Sequence, residues 1–346
     1  MIEQSYISRL STLYNLDFST FNISLFGAGH IHQTWLANRE TQSYIIQKFN
    51  KNVFKNPGLI AHNHQLLIDH LDFEALDFDF PLPIPNVKGR TLCLVGDEYF
   101  RVLPFIEGVC LQEIEQPKQA FLAASAFASL IQVAVPLDVN LFQEVIPGFH
   151  DLELRFSQFI EAREYTRLKI SGELAAICEF YLQQSGIVKE YQMWISLLPK
   201  RITHNDTKIN NLIFSADLTK VEAIIDLDTM MPGYAFNDFG DLVRTVSCNL
   251  DENSLDFDSL KVNVDKYQAL YEGFLEGSRD TLTKDEIASL HFGGGMMIYI
   301  MGLRFLTDYL NGNIYYQIKY ENQNYDRAKN QMYLLKSLQQ LGFNKQ

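Results

Sequence analysis

Residues 201–245, RITHNDTKINNLIFSADLTKVEAIIDLDTMMPGYAFNDFGDLVRT, constrain this chain more than any other stretch. His204 and Asp206 are followed by Asn211, then by an apolar run, VEAII, that leads into Asp226 and Asp228. Phosphoryl transfer needs a carboxylate at the nucleophile and hard oxygen ligands for Mg²⁺ on the nucleotide phosphates. A loop Asp with an Asn five residues on, then a strand ending in carboxylates, supplies both. Asp226 and Asp228 are two apart, so an extended chain points both to one side, as a pair of metal ligands. Each Asp taken singly is more often a turn or cap residue; the joint pattern carries the assignment.

The remaining text changes character near residue 104. Before it the chain is strand-rich: ISLFGAG (23–29) ends at a Gly-x-Gly, HQTWLAN (32–38) and SYIIQKFN (43–50) follow, and TLCLV (91–95) and EYFRVLPFI (98–106) flank a Gly96-Asp97 turn. Pro57 opens a helix expected to run to about Leu71. After Ile106, residues 119–132, 151–168 and 173–184 carry apolar side chains at helical spacing. A chain of 346 residues accommodates two lobes, placed at 1–104 and 105–346.

A formal charge of −13 argues against a nucleic-acid binder and against docking on anionic lipid. Residues 206–241 alone hold seven carboxylates against Lys208 and Lys220, which suits a divalent metal that brings phosphate with it. Cys93, Cys110, Cys178 and Cys248 are scattered, which fits a reducing cytoplasm rather than a disulfide framework or a zinc knuckle. No secretory signal is read at the N-terminus, and 120–135 reads as a buried helix, not a membrane span. Zinc at His62-x-His64 or His30-x-His32 is disfavoured, because His62 and His64 lie two apart on an expected helix and face different ways, and no Cys or helical His pair four apart completes a tetrahedral set.

HNDTKINN with IIDLD resembles the catalytic and metal motifs of the aminoglycoside phosphotransferase and choline kinase superfamily. The phrases FGAGHIHQTW (26–35), YIIQKFNKNVFKNP (44–57), FRVLPFIEG (100–108), PGFHD (147–151), DLDTMMPG (226–233), DFGDLVRT (238–245) and GLRFLTDYLNGN (302–313) are most similar to its N-acetylhexosamine 1-kinase branch. The resemblance implies an α+β, bilobal protein-kinase-like fold, with a small antiparallel-sheet N-lobe for nucleotide and a larger, mainly helical C-lobe for catalysis and substrate. It implies ATP and Mg²⁺, Asp206 as catalytic base, and Asn211 and Asp226 as metal ligands, with Asp228 beside them. Its expected acceptor is the anomeric hydroxyl of N-acetylglucosamine or N-acetylgalactosamine; choline, an amino alcohol or an aminoglycoside is the alternative, and a non-catalytic nucleotide-binding module a further one.

Within that resemblance, Gly27 and Gly29 let backbone pass close to phosphates, although a Gly-x-Gly is also a plain hairpin turn. A dinucleotide fold is a poor competitor, since His32 occupies the third glycine position and a strand follows. Lys48 is expected on the phosphates, or Gln47 after a one-residue slip, with Asp69 the only carboxylate on the next helix to pair with the cation. Main chain around Leu103 and Phe105 is expected to read adenine. Phe149, His150, Arg155, Arg304 and Tyr309 are the candidates for the sugar, and Asp238 and Asp241 for bracing the catalytic loop. The expected partners are nucleotide and a small-molecule sugar, in a cytoplasmic monomer or small homo-oligomer.

Overall fold

A computed structural model describes residues 2–27, 32–51 and 54–342. The chain divides into two compact units, and the division is discontinuous, where the sequence reading places a single boundary near residue 104. Met1–Val109, Pro136–Pro147 and Ile213–Pro232 form the first unit; Cys110–Val135, Gly148–Leu212 and Gly233–Gln346 form the second.

The first unit is built on an antiparallel five-stranded sheet. Its strands are β1 (Asn22–Leu25), β2 (Gln33–Arg39), β3 (Gln42–Lys48), β4 (Cys93–Val95) and β5 (Glu98–Pro104), in the order β1-β2-β3-β5-β4. Alternation sorts its residues: Trp35, Ala37, Ile46, Phe100 and Val102 point to one face, where they pack with Ile7, Leu10 and Tyr14 of helix α1 (Gln4–Tyr14). The strand-rich reading of the first hundred residues passed over α1, whose apolar residues at 7, 10 and 14 carry helical spacing. The opposite face carries Gln47 and Arg101, which lie directly across the β3–β5 register from each other.

Helix α2 (Pro57–His70) begins with Pro at its first turn, and ties the two later segments into this unit. Asn63 accepts the Gln143 amide (2.9 Å) and donates to the carbonyls of Gln143 and Met230 (2.9 Å each). Residues 221–224 add a short strand, held by Asp79, whose NH reaches the Glu222 carbonyl (2.7 Å) and whose carbonyl accepts the Ile224 NH (3.2 Å). That long-range pairing is why the strand before Asp226 belongs with the sheet unit.

The second unit is helical: α3 (Pro117–Val133), α4 (Leu152–Tyr165), α5 (Gly172–Gln183), α6 (Gly186–Leu197), α7 (Ala235–Val246), α8 (Val264–Ser278), α9 (Lys284–Leu310) and α10 (Gln323–Leu341). Two helix pairs approach to backbone contact through glycine. A Cβ at Gly240 on α7 would stand 2.3 Å from the Gly293 carbonyl on α9, and one at Gly277 on α8 would stand 2.1 Å from that of Ser125 on α3. The chain thus combines an antiparallel sheet in its N-terminal region with a helical C-terminal region, the α+β class expected. No helix among the described residues is long and apolar enough to cross a membrane.

Candidate active site

In the helical unit the loop after the strand Arg201–Thr203 is fixed from several sides. Arg201 forks onto Glu286 at the N-terminus of α9, with both N–O distances 2.9 Å. Asp238, buried in the first turn of α7, accepts the backbone NH groups of His204 (2.8 Å) and Asn205 (2.7 Å). The Thr207 hydroxyl donates to the Asp238 carbonyl (2.7 Å). Asn205 takes a left-handed backbone (φ 63°), which Asn tolerates better than most residues. Gly233 leaves space for this bend, since a Cβ there would lie 2.2 Å from Thr203 Oγ1. The bracing role expected of Asp238 is therefore the one it performs, while Asp241 instead pairs with buried Arg244 (2.9 Å), itself bound to Glu252 (2.9 Å).

Asp206 stands at the end of this scaffold with each carboxylate oxygen engaged. Lys208 Nζ lies 2.7 Å from Oδ1, and Asn211 Nδ2 donates to Oδ2 (3.2 Å) and to the Asp206 carbonyl (2.8 Å). Burial raises the Asp206 carboxyl, but Lys208, His204 and Arg244 more than offset it and hold it below its ordinary value. Asp206 is thus charged at neutral pH and aligned to accept a proton or a hydrogen bond. With Nδ2 of Asn211 turned to Asp206, its Oδ1 has no hydrogen bond among the described residues and is an oxygen of the kind a hard cation takes.

His150, just before α4, donates through Nε2 to the Asn205 carbonyl (2.8 Å), which fixes its tautomer. Its Nδ1 is buried with no hydrogen-bond partner, and burial pushes the imidazole down to about 4, so the ring is neutral. Phe149 stacks against His150 (4.4 Å between centroids) and lies under the guanidinium of Arg304 (5.3 Å). Arg304 and Arg155 both line a cavity of about 610 Å³ together with Thr307, Asp308, Tyr315 and Tyr316. Four of the five sugar-side candidates are therefore brought together, and Tyr309 is not. Its ring packs on Tyr325 (5.4 Å) and its hydroxyl reaches Asn322 (3.4 Å), off the cavity wall. Tyr315 and Tyr316 take that place, held by Asp308, which accepts both their NH groups (2.8 and 2.9 Å). The sequence signal for them was the aromatic pair that follows the Gly312-Asn313 turn after one residue, Ile314.

The sheet unit corrects two expectations. Asp226 adopts a left-handed backbone (φ 58°, ψ 55°) and Leu227–Thr229 form a tight 3₁₀ turn, so the extended-chain parity argument fails. Asp226 is exposed, whereas Asp228 is buried and fully engaged: Arg101 grips it through both terminal nitrogens, and His32 Nε2 bonds Oδ2 (2.7 Å). His64 adds its Nε2 to the Leu227 carbonyl (3.2 Å). Asp228 is therefore an anchor of the turn, not a metal ligand, and Arg101, His32 and His64 are the residues that sequence reasoning missed for this role.

Lys48 is the second correction. It shares the α1-covered face with Ile46 and pairs with Glu98 (3.8 Å), while Asp69, exposed on α2, bonds only Gln65 (2.8 Å). The register alternative, Gln47, lies on the Asp228 side, where its Oε1 accepts from Arg101 Nε (2.8 Å). Leu103 shares that face of β5, and Phe105 just beyond it meets Phe26 edge-on (5.7 Å), beside Gly27 with its left-handed φ of 76°. Gly29 lies outside the described residues. Among the described residues no cluster of three or more His, Cys, Asp or Glu side chains is arranged to hold a metal by itself. Mg²⁺ on a nucleotide asks for less, one or two protein oxygens beside phosphates and water; Asp226, exposed in the sheet unit, and the Asn211 amide oxygen in the helical unit are each a donor of that kind.

Comparison with known proteins bears on the family and the fold. The phosphotransferase enzyme family (APH) matches residues 22–268. Among solved structures, the ADP-bound aminoglycoside phosphotransferase APH(2'')-Ib is similar at 14% identity and TM-score 0.61, over 98% of this chain and 99% of that one. A microcompartment-associated aminopropanol kinase is similar at 13% identity and TM-score 0.60, over 99% of both chains. An ethanolamine kinase from Plasmodium vivax is similar at 13% identity and TM-score 0.59, over 94% of this chain and 87% of its own. With the family matched over most of its length, the chain belongs to the phosphotransferase enzyme family and has the kinase-like fold of its aminoglycoside and amino-alcohol kinases.

Proposed function

We propose that this phosphotransferase is an ATP- and Mg²⁺-dependent sugar kinase that phosphorylates the anomeric hydroxyl of an N-acetylhexosamine, giving the 1-phosphate and ADP. Asp206 accepts the hydroxyl proton and orients the oxygen, Lys208 and Asn211 keep its carboxylate in place, and Asp238 and His150 hold the loop. An anomeric hydroxyl is more acidic than an ordinary alcohol, which suits a base whose pKa is depressed. Asn211 and Asp226 would supply oxygen ligands to Mg²⁺, which would neutralise charge on the phosphates. Backbone at Gly27 approaches the phosphates, and main chain at Leu103 and Phe105 reads the base. ADP-bound and amino-alcohol-kinase relatives of the same fold support the use of ATP.

The observation that carries the sugar reading is the pair of arginines in the cavity walled by α4 and α9. Arg155 and Arg304 line it, and neither has a carboxylate within ion-pair distance among the described residues. Choline, an amino alcohol or an aminoglycoside is a cation, and two guanidinium groups without an ion-pair partner among the described residues disfavour it there. Tyr165, Tyr315 and Tyr316 meanwhile give the cavity wall aromatic surface of the kind a sugar ring packs against. A coupled ADP-release screen over N-acetylhexosamines, hexoses, choline, ethanolamine and an aminoglycoside tests this. Turnover of N-acetylglucosamine or N-acetylgalactosamine is expected, and turnover of the amines alone refutes it.

A further inference from the structure

We infer that the cavity walled by α4, α9 and the 312–316 turn binds the anionic substituent of a sugar, a carboxylate or a phosphate ester, between Arg155 and Arg304. The inference rests on the sugar-kinase reading and narrows its acceptor from any N-acetylhexosamine to one that carries an acid group.

Arg155 is held by neutral acceptors alone. Its terminal nitrogens reach Gln158 Oε1 (3.0 Å) and the Gly148 carbonyl (2.9 Å), while Nε is buried without a partner. These bonds orient the fork and leave its charge uncancelled. Arg304 has still less: one long contact to the Met301 thioether (3.6 Å) and the rings of Phe149, Tyr315 and Tyr316 at 5.3, 5.8 and 5.7 Å. Ring faces steady a guanidinium, yet they leave its edge donors free for a ligand.

Among the described residues, the two acids on the same wall form an ion pair with neither guanidinium. Asp308 spends its carboxylate on the NH groups of Tyr315 and Tyr316 and on Asn324 Nδ2 (2.9 Å). Glu161 is exposed and makes no ion pair with either arginine. Burial, with Arg304 as a like-charged neighbour, pushes the Arg155 guanidinium below its ordinary value, the direction expected for two cations sharing one site. Thr307 Oγ1 and the Tyr316 hydroxyl are also buried on this wall without hydrogen-bond partners. Two forks, two idle hydroxyls and about 610 Å³ of space together match a planar carboxylate or a phosphate on a sugar-sized body.

Calorimetry on the full chain, with N-acetylglucosamine, N-acetylglucosamine 6-phosphate and N-acetylmuramic acid as probes, tests the inference apart from turnover. At low ionic strength at least one acid-bearing probe is expected to bind about tenfold or more tighter than the neutral sugar. That advantage should shrink as salt is raised and be lost in Arg155→Gln. Equal or weaker binding of both acid-bearing probes by the unmodified protein overturns the inference, whatever the fate of the variant. If the neutral sugar is then still phosphorylated, the sugar-kinase reading stands without it. If an acid-bearing probe binds in the expected way but no sugar is phosphorylated, the anion site stands and the kinase reading fails. The probe carrying the advantage tells carboxylate from phosphate.

Discussion

Lys208 Nζ lies 2.7 Å from Oδ1 of Asp206, an ion pair formed within the catalytic loop itself. Its consequence is electrostatic: partial burial raises the Asp206 carboxyl, and Lys208 is the foremost influence that outweighs it and keeps the carboxyl below its ordinary value. Lys208→Met is expected to move the acid limb of the kcat/KM profile to higher pH, because Asp206 then holds its proton more tightly. Lys208→Arg should restore most of the shift. An unchanged profile in Lys208→Met would show that Asp206 does not titrate in the acid limb. Asp206→Asn should lower turnover by about 10²–10⁴-fold with nucleotide affinity retained, as measured by single-turnover assay and nucleotide titration.

Asp238 gives a second pH dependence of opposite sign for stability. Burial, with Asp241 and Asp206 adding to it, pushes its carboxyl up to about 7, although the His204 and Asn205 amides favour the charged form. Above that pH both amides have a charged acceptor; below it a proton occupies one oxygen and the loop loosens. Turnover should therefore rise through pH 7. Folded Asp238 holds its proton more tightly than the unfolded chain, whose Asp titrates near about 4, so its contribution to stability falls as pH rises from about 4 to 7. Asp238→Asn, compared by urea unfolding and by pH–rate profile, should remove both trends.

Asp226 and Asp228 should separate cleanly by experiment. Asp228→Ala leaves Arg101 buried and unpaired, and is expected to cost about 3–5 kcal/mol in denaturant titration, with or without Mg²⁺. Asp226→Ala, at an exposed position, should lose turnover without a stability loss of that size. Comparable destabilisation by both substitutions would remove the distinction between anchor and ligand.

Gly233→Ala should injure the loop although it touches neither nucleotide nor sugar. The added Cβ would stand 2.2 Å from Thr203 Oγ1 and 2.6 Å from Asn205 Oδ1, so the left-handed bend at Asn205 must shift. A fall in kcat of about tenfold or more with KM changed less is the expected signature, since a small misplacement of a catalytic group is costly. Unaltered kinetics would mean that the bend relaxes freely.

The sequence was most legible where a local pattern decides the structure. Pro57 and the apolar spacing after it placed α2, and Gly96-Asp97 placed the β4–β5 hairpin. The spacing of Asp206, Asn211 and Asp226 was enough to read phosphoryl-transfer chemistry, and the family match agrees. Legibility failed where distant residues decide. Asp228 is defined by His32 and Arg101, which lie 196 and 127 residues away, so its spacing from Asp226 could not reveal that it is an anchor. A single left-handed residue at Asp226 reversed the parity on which the paired-ligand reading depended. Lys48 and Gln47 could be told apart only from the β3–β5 register, and Tyr309 lost its place to Tyr315 and Tyr316 because Asp308 bends the chain after α9.

The discontinuous sheet unit also bears on how the protein is made. Its sheet strands are translated by residue 104, but the residues that complete the unit, among them Asp228 as the counter-ion of Arg101, arrive only by Pro232 of 346. Until then the nascent N-terminal sheet carries a buried-to-be guanidinium with no acid to meet. The sheet unit is therefore expected to remain protease-sensitive on the ribosome until two-thirds of the chain has emerged, and an N-terminal fragment ending near residue 104 should not mature alone.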